Sequence, residues 1–279
     1  MGGLGNQLFQ IFHTIAYALR YNLEYVFPYS ETLKTGLERP TYWNNLLSNL
    51  KSYTSTSIPR IPMLKEPYFH YTEIPKINQD FMFFGYFQSH KYFEDQYNRI
   101  RDIIGIPAIQ EQERDEHRIP DIDYNTTISL HFRLGDYKEK QDCHPLTTPK
   151  YYIDSLNHIL STDPTMNNAT VLYFYEKEDE AIVESYMETI KSGLESESRE
   201  SHLRFVTIPH EISDWQQMIQ MSLCRHNVIA NSSFSWWGAY FNSHEDKIVC
   251  YPSVWFGPKL AMNNTKDLCP SSWKKISIE

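Results

Sequence analysis

Thr127-Ile128-Ser129-Leu130-His131-Phe132-Arg133-Leu134-Gly135-Asp136-Tyr137 is the stretch on which the reading of this chain turns. Thr127 to Leu130 has strand character, and a glycine and an aspartate follow shortly after. His131, Arg133 and Asp136 therefore fall where a strand gives way to a loop. In open α/β sheets, ligands bind in the crevice beyond the carboxyl ends of the strands. Arginine is the side chain suited to gripping a phosphate or diphosphate with two parallel donors. A plain strand end with a surface pair between Arg133 and Asp136 accounts for the same residues, so the surrounding segments have to decide.

Downstream the order is regular. Strands are expected near 127–132, 170–175, 203–207, 227–230 and 247–251, and helices near 149–160, 179–194, 214–225 and 234–242. Strands and helices alternating at this spacing predict a doubly wound, mostly parallel sheet. The polar run from Lys191 to His202 reads as a helix end and a solvated loop. The first half is less regular. It has an opening helix, a strand near 24–28, a helix near 41–50, a strand near 81–85 and a helix near 90–104. Residues 52–80, rich in Ser, Thr and Pro, read as mostly loop. Residues 107–126, charged and carrying Pro107 and Pro120, read as a linker.

Two further motifs point to anion binding. The chain opens Met1-Gly2-Gly3-Leu4-Gly5-Asn6-Gln7-Leu8-Phe9-Gln10, and apolar residues at Leu4, Leu8, Ile11, Phe12, Ile15 and Leu19 continue it as a one-sided helix. A glycine loop opening a helix offers backbone N–H groups and a positive dipole end to an anion. No acidic residue occurs before Glu24, so this loop supplies no catalytic carboxylate. Asn231-Ser232-Ser233-Phe234-Ser235-Trp236-Trp237-Gly238 follows the short strand from Asn227 to Ala230. Its Ser and Asn residues suit a helix cap and also bond phosphate or sugar oxygens. Phe234 and the tryptophans would pack that helix on the sheet.

On these residues the chain resembles the α-1,2-fucosyltransferases, which move L-fucose from GDP-fucose to the 2-hydroxyl of an acceptor sugar, commonly galactose. The resemblance also takes in Gly85-Tyr86-Phe87-Gln88-Ser89 with Lys91-Tyr92-Phe93, Pro149-Lys150-Tyr151-Tyr152, the run from Asn227 to Ala239, and Leu268-Cys269-Pro270 with Trp273. It implies a GT-B arrangement of two Rossmann-like halves facing a cleft. Residues 1–125 would form the acceptor-side domain with the glycine loop, and 126–279 the GDP-fucose-binding domain. It implies an inverting transfer to a galactoside with GDP-fucose as donor, a glycan acceptor, and neither metal nor further cofactor. Arg133 would pair with the diphosphate. Gly2, Gly3, Gly5, Asn6, Gln7, Asn231, Ser232, Ser233, Phe234 and Ser235 would contact the donor. Asp136 is the first candidate for the base that takes the acceptor's proton, with His131 as the alternative. Two other readings stay open: a catalytically silent sugar-binding protein of the same fold, and a transferase for another nucleotide sugar.

The chain departs from the family pattern in three places. Leu134 stands where a second arginine is usual. Phe174-Tyr175-Glu176-Lys177-Glu178-Asp179 replaces the usual Phe-Ser-Asp-Asp string. The strand that ordinarily precedes the glycine loop is missing, so either it is dispensable or the true start lies upstream of Met1.

Composition fits an ordinary globular chain, with 22% charged and 41% hydrophobic residues among 279. That length suggests two domains. The net charge of −9 argues against a nucleic-acid binder, which needs a basic face. No apolar run approaches the roughly 20 residues needed to span a bilayer, and no secretory leader is visible. The expected location is the cytoplasm or the cytosolic face of a membrane. Cys224 and Cys250 read as buried thiols, Cys143 and Cys269 as loop residues. Asp121-Ile122-Asp123 has the look of a metal motif but lies before a strand, not after one. The scattered histidines show no ligand spacing.

Overall fold

The computed structural model describes residues 1–34, 38–116, 118–196 and 202–278. The chain divides into two compact units, one of Met1–Ile109 with Asn263–Pro270, the other of Gln110–Met262 with Ser271–Glu279.

The first unit is built on α1 (Leu4–Tyr21). Its apolar face, predicted from the spacing, is buried: Leu8, Phe9, Phe12, Ile15 and Ala16 are wholly inaccessible. Phe93 packs against both Phe9 and Phe12. Asn22 ends the helix in the left-handed conformation, at φ 52°, as helix ends commonly do. Three two-stranded pieces follow. β1 (Phe27–Pro28), β2 (Thr32–Leu33), β3 (Arg39–Pro40), β4 (Thr54–Ser55), β5 (Met63–Lys65) and β6 (Met82–Phe84) pair as β1 with β4 and β5 with β6, both parallel, and β2 with β3, antiparallel. The helix expected near 41–50 is instead a set of turns running into a 3-10 segment at Ser48–Tyr53. Its backbone bonds are of mixed span, Asn45 and Leu47 both donating to Tyr42 and Ser48 to Asn45, and the Asn45 side chain accepts from the Leu46 N–H, a local competitor to helix. The helix expected near 90–104 begins late, as α2 (Tyr97–Ile104), after two 3-10 turns.

The charged segment expected to be a linker is largely helix, α3 (Ile106–Glu116). Pro107 lies in its first turn, where a missing N–H costs nothing. Gln110 and Glu113 are buried on its inner face. Gln110 donates to Ser222 Oγ at 2.8 Å and to the Phe241 carbonyl at 3.1 Å, and Glu113 accepts from Gln216 at 3.0 Å. These bonds tie α3 to the second unit, so the division falls at 109/110 and not at 125/126. The segment around Asp267 rejoins the first unit through Ser89 Oγ, 2.7 Å from its carbonyl, and Lys91 Nζ, 2.6 Å from its carboxylate.

The second unit is the expected doubly wound sheet. Its elements are β7 (Thr127–His131), α4 (Pro149–Thr162), β8 (Thr170–Phe174), α5 (Glu180–Ser196), β9 (Arg204–Thr207), α6 (Asp214–Leu223), β10 (His226–Val228), α7 (Ser233–Phe241), β11 (Val249–Pro252) and β12 (Lys274–Ile276). All six strands run parallel in the order β12-β11-β10-β7-β8-β9. Every residue of β7 is buried, as a strand covered on both faces requires. β12 has no counterpart in the sequence reading. Its two lysines are exposed and only Ile276 is buried, so an edge strand this short leaves no apolar run. Of the polar run from Lys191, the helix continues to Ser196, and residues 197–201 lie outside the described ones.

The sheet order has one consequence for function. The chain winds outward from β7 to β9, returns to the centre at β10 and winds outward the other way. β7 and β10 are therefore neighbours whose following loops diverge, which makes the crevice at their carboxyl ends the topological switch point.

Candidate functional site

Two of the three anion-binding motifs found in the sequence meet at that switch point. Arg133 leaves the end of β7, and Asn231 to Ser235 leave the end of β10. Tyr137 links them, its hydroxyl donating to the Asn231 carbonyl at 3.4 Å.

Arg133 is mostly buried and heavily engaged. One guanidinium nitrogen donates to Asp136 Oδ1 at 2.5 Å, and the other pairs with Glu176 Oε1. The Tyr137 ring lies 4.7 Å beneath the guanidinium carbon, a cation–π distance. Asp136 accepts from Lys140 as well, at 3.0 Å. Both of its oxygens thus contact cations.

Gly135 makes this turn possible. Its φ is +38°, and a Cβ there would sit 2.7 Å from Arg133 Nη1 and 2.8 Å from Glu176 Oε2. Its N–H donates to Asp179 Oδ2 at 2.7 Å, and Lys138 Nζ reaches Asp179 Oδ1 at 2.6 Å. Asp179 is buried. Sequence reasoning did not assign Glu176 and Asp179 to Arg133 and its turn. The signal was the parallel pairing of β7 with β8, which aligns His131 with Phe174 and so brings the two loops that follow together.

Leu134, at the place of the family's second arginine, is buried in the sheet core with Phe132 and Tyr152. That position faces inward, so Arg133 is the motif's single guanidinium.

His131 is buried, and among the described residues its Nδ1 has no hydrogen-bond partner. Burial, reinforced by the Arg133 charge, pushes its pKa down to about 3. The ring is neutral at physiological pH and its basicity is weak. Phe234 lies 5.5 Å away, centroid to centroid, and Tyr152 donates to the His131 carbonyl at 3.0 Å.

α7 begins with Ser232 as N-cap, its Oγ accepting from the Phe234 N–H at 3.3 Å. Trp236 and Trp237 are wholly buried, and Trp236 stacks on Tyr240 of the same helix at 4.6 Å. Asn231 donates to the carbonyls of Pro145, at 2.9 Å, and Trp255, at 3.3 Å. Its Oδ1 is buried and has no hydrogen-bond partner among the described residues; an unpaired buried acceptor is costly. Ser235 is buried, whereas Ser233 and Phe234 are partly accessible.

The third motif, the glycine loop, belongs to the first unit. Gly2 has φ +76° and Gly3 is the N-cap of α1, with no side chain capping it. A Cβ on Gly3 would meet nothing within 4 Å. Gln7 bonds the carbonyls of Gly2, at 3.0 Å, and Pro40, at 2.9 Å. Asn6 accepts from Gln88 at 2.6 Å. The side chains of Asn6 and Gln7 therefore build the loop, and Gly3 is its sterically open point. Gln88 explains part of the Gly85–Ser89 motif, which is held by Glu66: its carboxylate accepts from Tyr86 N–H at 2.7 Å and Phe87 N–H at 3.1 Å.

The Asp121 and Asp123 pair does structural work. Asp123 Oδ1 accepts from the Asn125 N–H at 3.0 Å, capping the turn before β7. Asp121 takes a positive φ of 59°, and its carbonyl accepts from Arg204. Cys224 and Cys250 are buried thiols as expected, and Cys143 and Cys269 are half-buried. Among the described residues no helix is long and apolar enough to cross a membrane.

The chain is 30% identical over 199 residues to an Escherichia coli protein named alpha-1,2-colitosyltransferase, covering 70% of this chain and 62% of that one. It is 31% identical over 147 residues to the O-antigen biosynthesis glycosyltransferase WbnK of Escherichia coli, covering 53% and 43%. The matches thus span less than two thirds of either relative. Two solved structures are also similar. One is the E. coli ADP-heptose LPS heptosyltransferase II, with TM-score 0.36 and 11% identity over 61% of this chain and 43% of that one. The other is a family 9 glycosyl transferase from Veillonella parvula, with TM-score 0.30 and 10% identity over 66% and 47%. The family described as Glycosyl transferase family 11 matches residues 24–257. The chain belongs to glycosyl transferase family 11.

Proposed function

We propose that this protein transfers L-fucose from GDP-fucose to the 2-hydroxyl of an acceptor sugar, a galactoside, with inversion at the anomeric carbon. The observation that carries the reading is Arg133 at the switch point between β7 and β10, beside the N-terminus of α7. Cleavage of the sugar–phosphate bond leaves negative charge on the β-phosphate. Arg133 and the first-turn amides of α7 are fixed donors for that charge, and each such donor typically contributes about 10²–10³ in rate. The sugar passes through an oxocarbenium-like state, and the acceptor hydroxyl attacks its opposite face.

The residues take distinct parts in this reading. Arg133 binds the diphosphate and stabilises the leaving group. Asp136, with both oxygens on cations, orients Arg133, and this engagement favours positioning over the base role. His131 is neutral and offers its Nδ1 as a hydrogen-bonding group. Asn231 Oδ1 accepts from a donor hydroxyl or amide, and Ser232 to Ser235 supply backbone N–H groups. In the first unit Gly3 lets a ligand approach the backbone of the glycine loop. The reaction needs no metal in this scheme, because Arg133 and the helix dipole supply the charge.

The name of the colitosyltransferase favours a second reading for the donor. Colitose is the 3-deoxy form of L-fucose, so a relative named for transferring it brings the α-1,2 linkage and a sugar similar to fucose into the comparison. The test is turnover with GDP-fucose, GDP-colitose, GDP-mannose and UDP-galactose on a panel of β-galactosides, with the product linkage read by NMR. An α-1,2-fucosyl product is expected. Turnover with GDP-colitose alone would support the second reading, and nucleotide binding without turnover on any acceptor would support the silent sugar-binding one.

A further inference from the structure

The loop after β8 places a carboxylate where the donor reading calls for an anion. We propose that Glu176 is a tethered stand-in for the donor's diphosphate, holding one arm of the Arg133 fork until a phosphate oxygen takes its place. This inference rests on the donor reading above.

The two arms of Arg133 end on carboxylates from different loops, and the two are not equivalent. Asp136 sits three residues along the same turn, its side chain is 34% exposed, and Lys140 holds its second oxygen. Glu176 comes from the neighbouring loop on a longer side chain and is 57% exposed, against 15% for Arg133. An exposed carboxylate regains its hydration on leaving, whereas one held by a second cation gives up both partners. Glu176 is therefore the group that leaves.

The backbone is shaped around this pair. Gly135 has no side chain at the point where the Arg133–Glu176 contact passes, and a Cβ there would meet both partners within 3 Å. The turn is pinned independently of Glu176, by Asp179 on the Gly135 N–H and on Lys138. Withdrawal of Glu176 therefore leaves the turn in place, and the event is an exchange of ligands on a fixed guanidinium. With Glu176 on the fork, a mostly buried arginine stays paired until a diphosphate binds, which avoids the cost of an uncompensated charge. The exchange also selects for charge, since a diphosphate competes with a carboxylate for the fork and an uncharged nucleoside does not.

The test is calorimetric titration of wild type, Glu176→Gln and Glu176→Ala with GDP and with guanosine, at low and high salt. Both substitutions are at an exposed side chain, and thermal unfolding checks that each variant is folded. GDP should bind about three- to tenfold tighter to both variants, the scale of a charge-assisted contact removed from competition. The gain should shrink at high salt, and guanosine binding should not change. Unchanged or weaker GDP binding in Glu176→Gln overturns the stand-in role while leaving the donor reading intact, as does an equal gain for guanosine. Failure of wild type to bind GDP removes the donor reading, and this inference with it.

Discussion

Replacing Arg133 by lysine separates the charge at the switch point from its geometry. Arg133 reaches two acceptors at once, Asp136 Oδ1 at 2.5 Å and Glu176, across the Tyr137 ring at 4.7 Å. Lysine carries the same charge on a single nitrogen, so it meets one acceptor and loses the parallel second bond. The Coulomb part is retained: at about 4 Å and an effective dielectric of about 20 it is worth about 4 kcal/mol. The lost second bond is worth about 1.4 kcal/mol or more, so turnover should fall at least about tenfold. Arg133→Ala removes both parts and should lower kcat by about 10²–10³. The assay is GDP release with GDP-fucose and a β-galactoside, with kcat and KM resolved and the fold checked by thermal unfolding. Near-normal kcat in Arg133→Lys would refute the assignment of leaving-group stabilisation to this residue. A rise in KM with kcat unchanged would assign Arg133 to binding alone.

Three further outcomes follow from particular contacts. Because both Asp136 oxygens meet cations, Asp136→Ala and Asp136→Asn should lower GDP affinity and turnover together; intact GDP binding with turnover lost in both would make Asp136 the base instead. Activity should persist in excess EDTA, with Asp123→Ala near wild type in turnover and lower in stability through the lost turn cap, by about 1 kcal/mol; loss of activity restored by Mn²⁺ or Mg²⁺ would contradict this. His13 is boxed by Phe83, Phe87 and Tyr92, with neither ring nitrogen bonded among the described residues, and burial, aided by the Arg20 charge, lowers its pKa from 6.5 to about 3. The unfolded chain therefore binds a proton that the folded one excludes, and stability should decline as pH falls from about 6.5 towards 3; His13→Phe should flatten that decline, and an unchanged slope of Tm against pH would exclude His13 as its source.

The second unit was legible because its strands β7, β8, β10 and β11 are almost wholly buried and its helices are one-sided. Apolar runs at regular spacing gave the sheet from β7 to β11, and strand ends gave Arg133 and Asn231. β12, with a single buried residue, left no such trace. The first unit was harder for the same physical reason, since its strands are two or three residues long and show no period. α3 was taken for a linker because its charges masked an inner face of Ile106, Gln110 and Glu113, two of which are buried through hydrogen bonds and not apolarity. At the site, motif residues could be named but not their neighbours. Glu176 stands 43 positions from Arg133 and meets it only through the pairing of β7 with β8, a long-range fact that no local pattern carries. Likewise Gln7 reads from the sequence as a donor-binding residue, and no local pattern shows that its amide also closes the glycine loop on Gly2 and Pro40.

The claim that the switch point holds a GDP-sugar is tested most directly by thermal-shift titration of wild type and Arg133→Ala with GDP-fucose, GDP and UDP-galactose. GDP and GDP-fucose should stabilise wild type in a concentration-dependent way, UDP-galactose should not, and the shift should vanish in Arg133→Ala. Absence of any shift with GDP, or an undiminished shift in Arg133→Ala, would contradict the account.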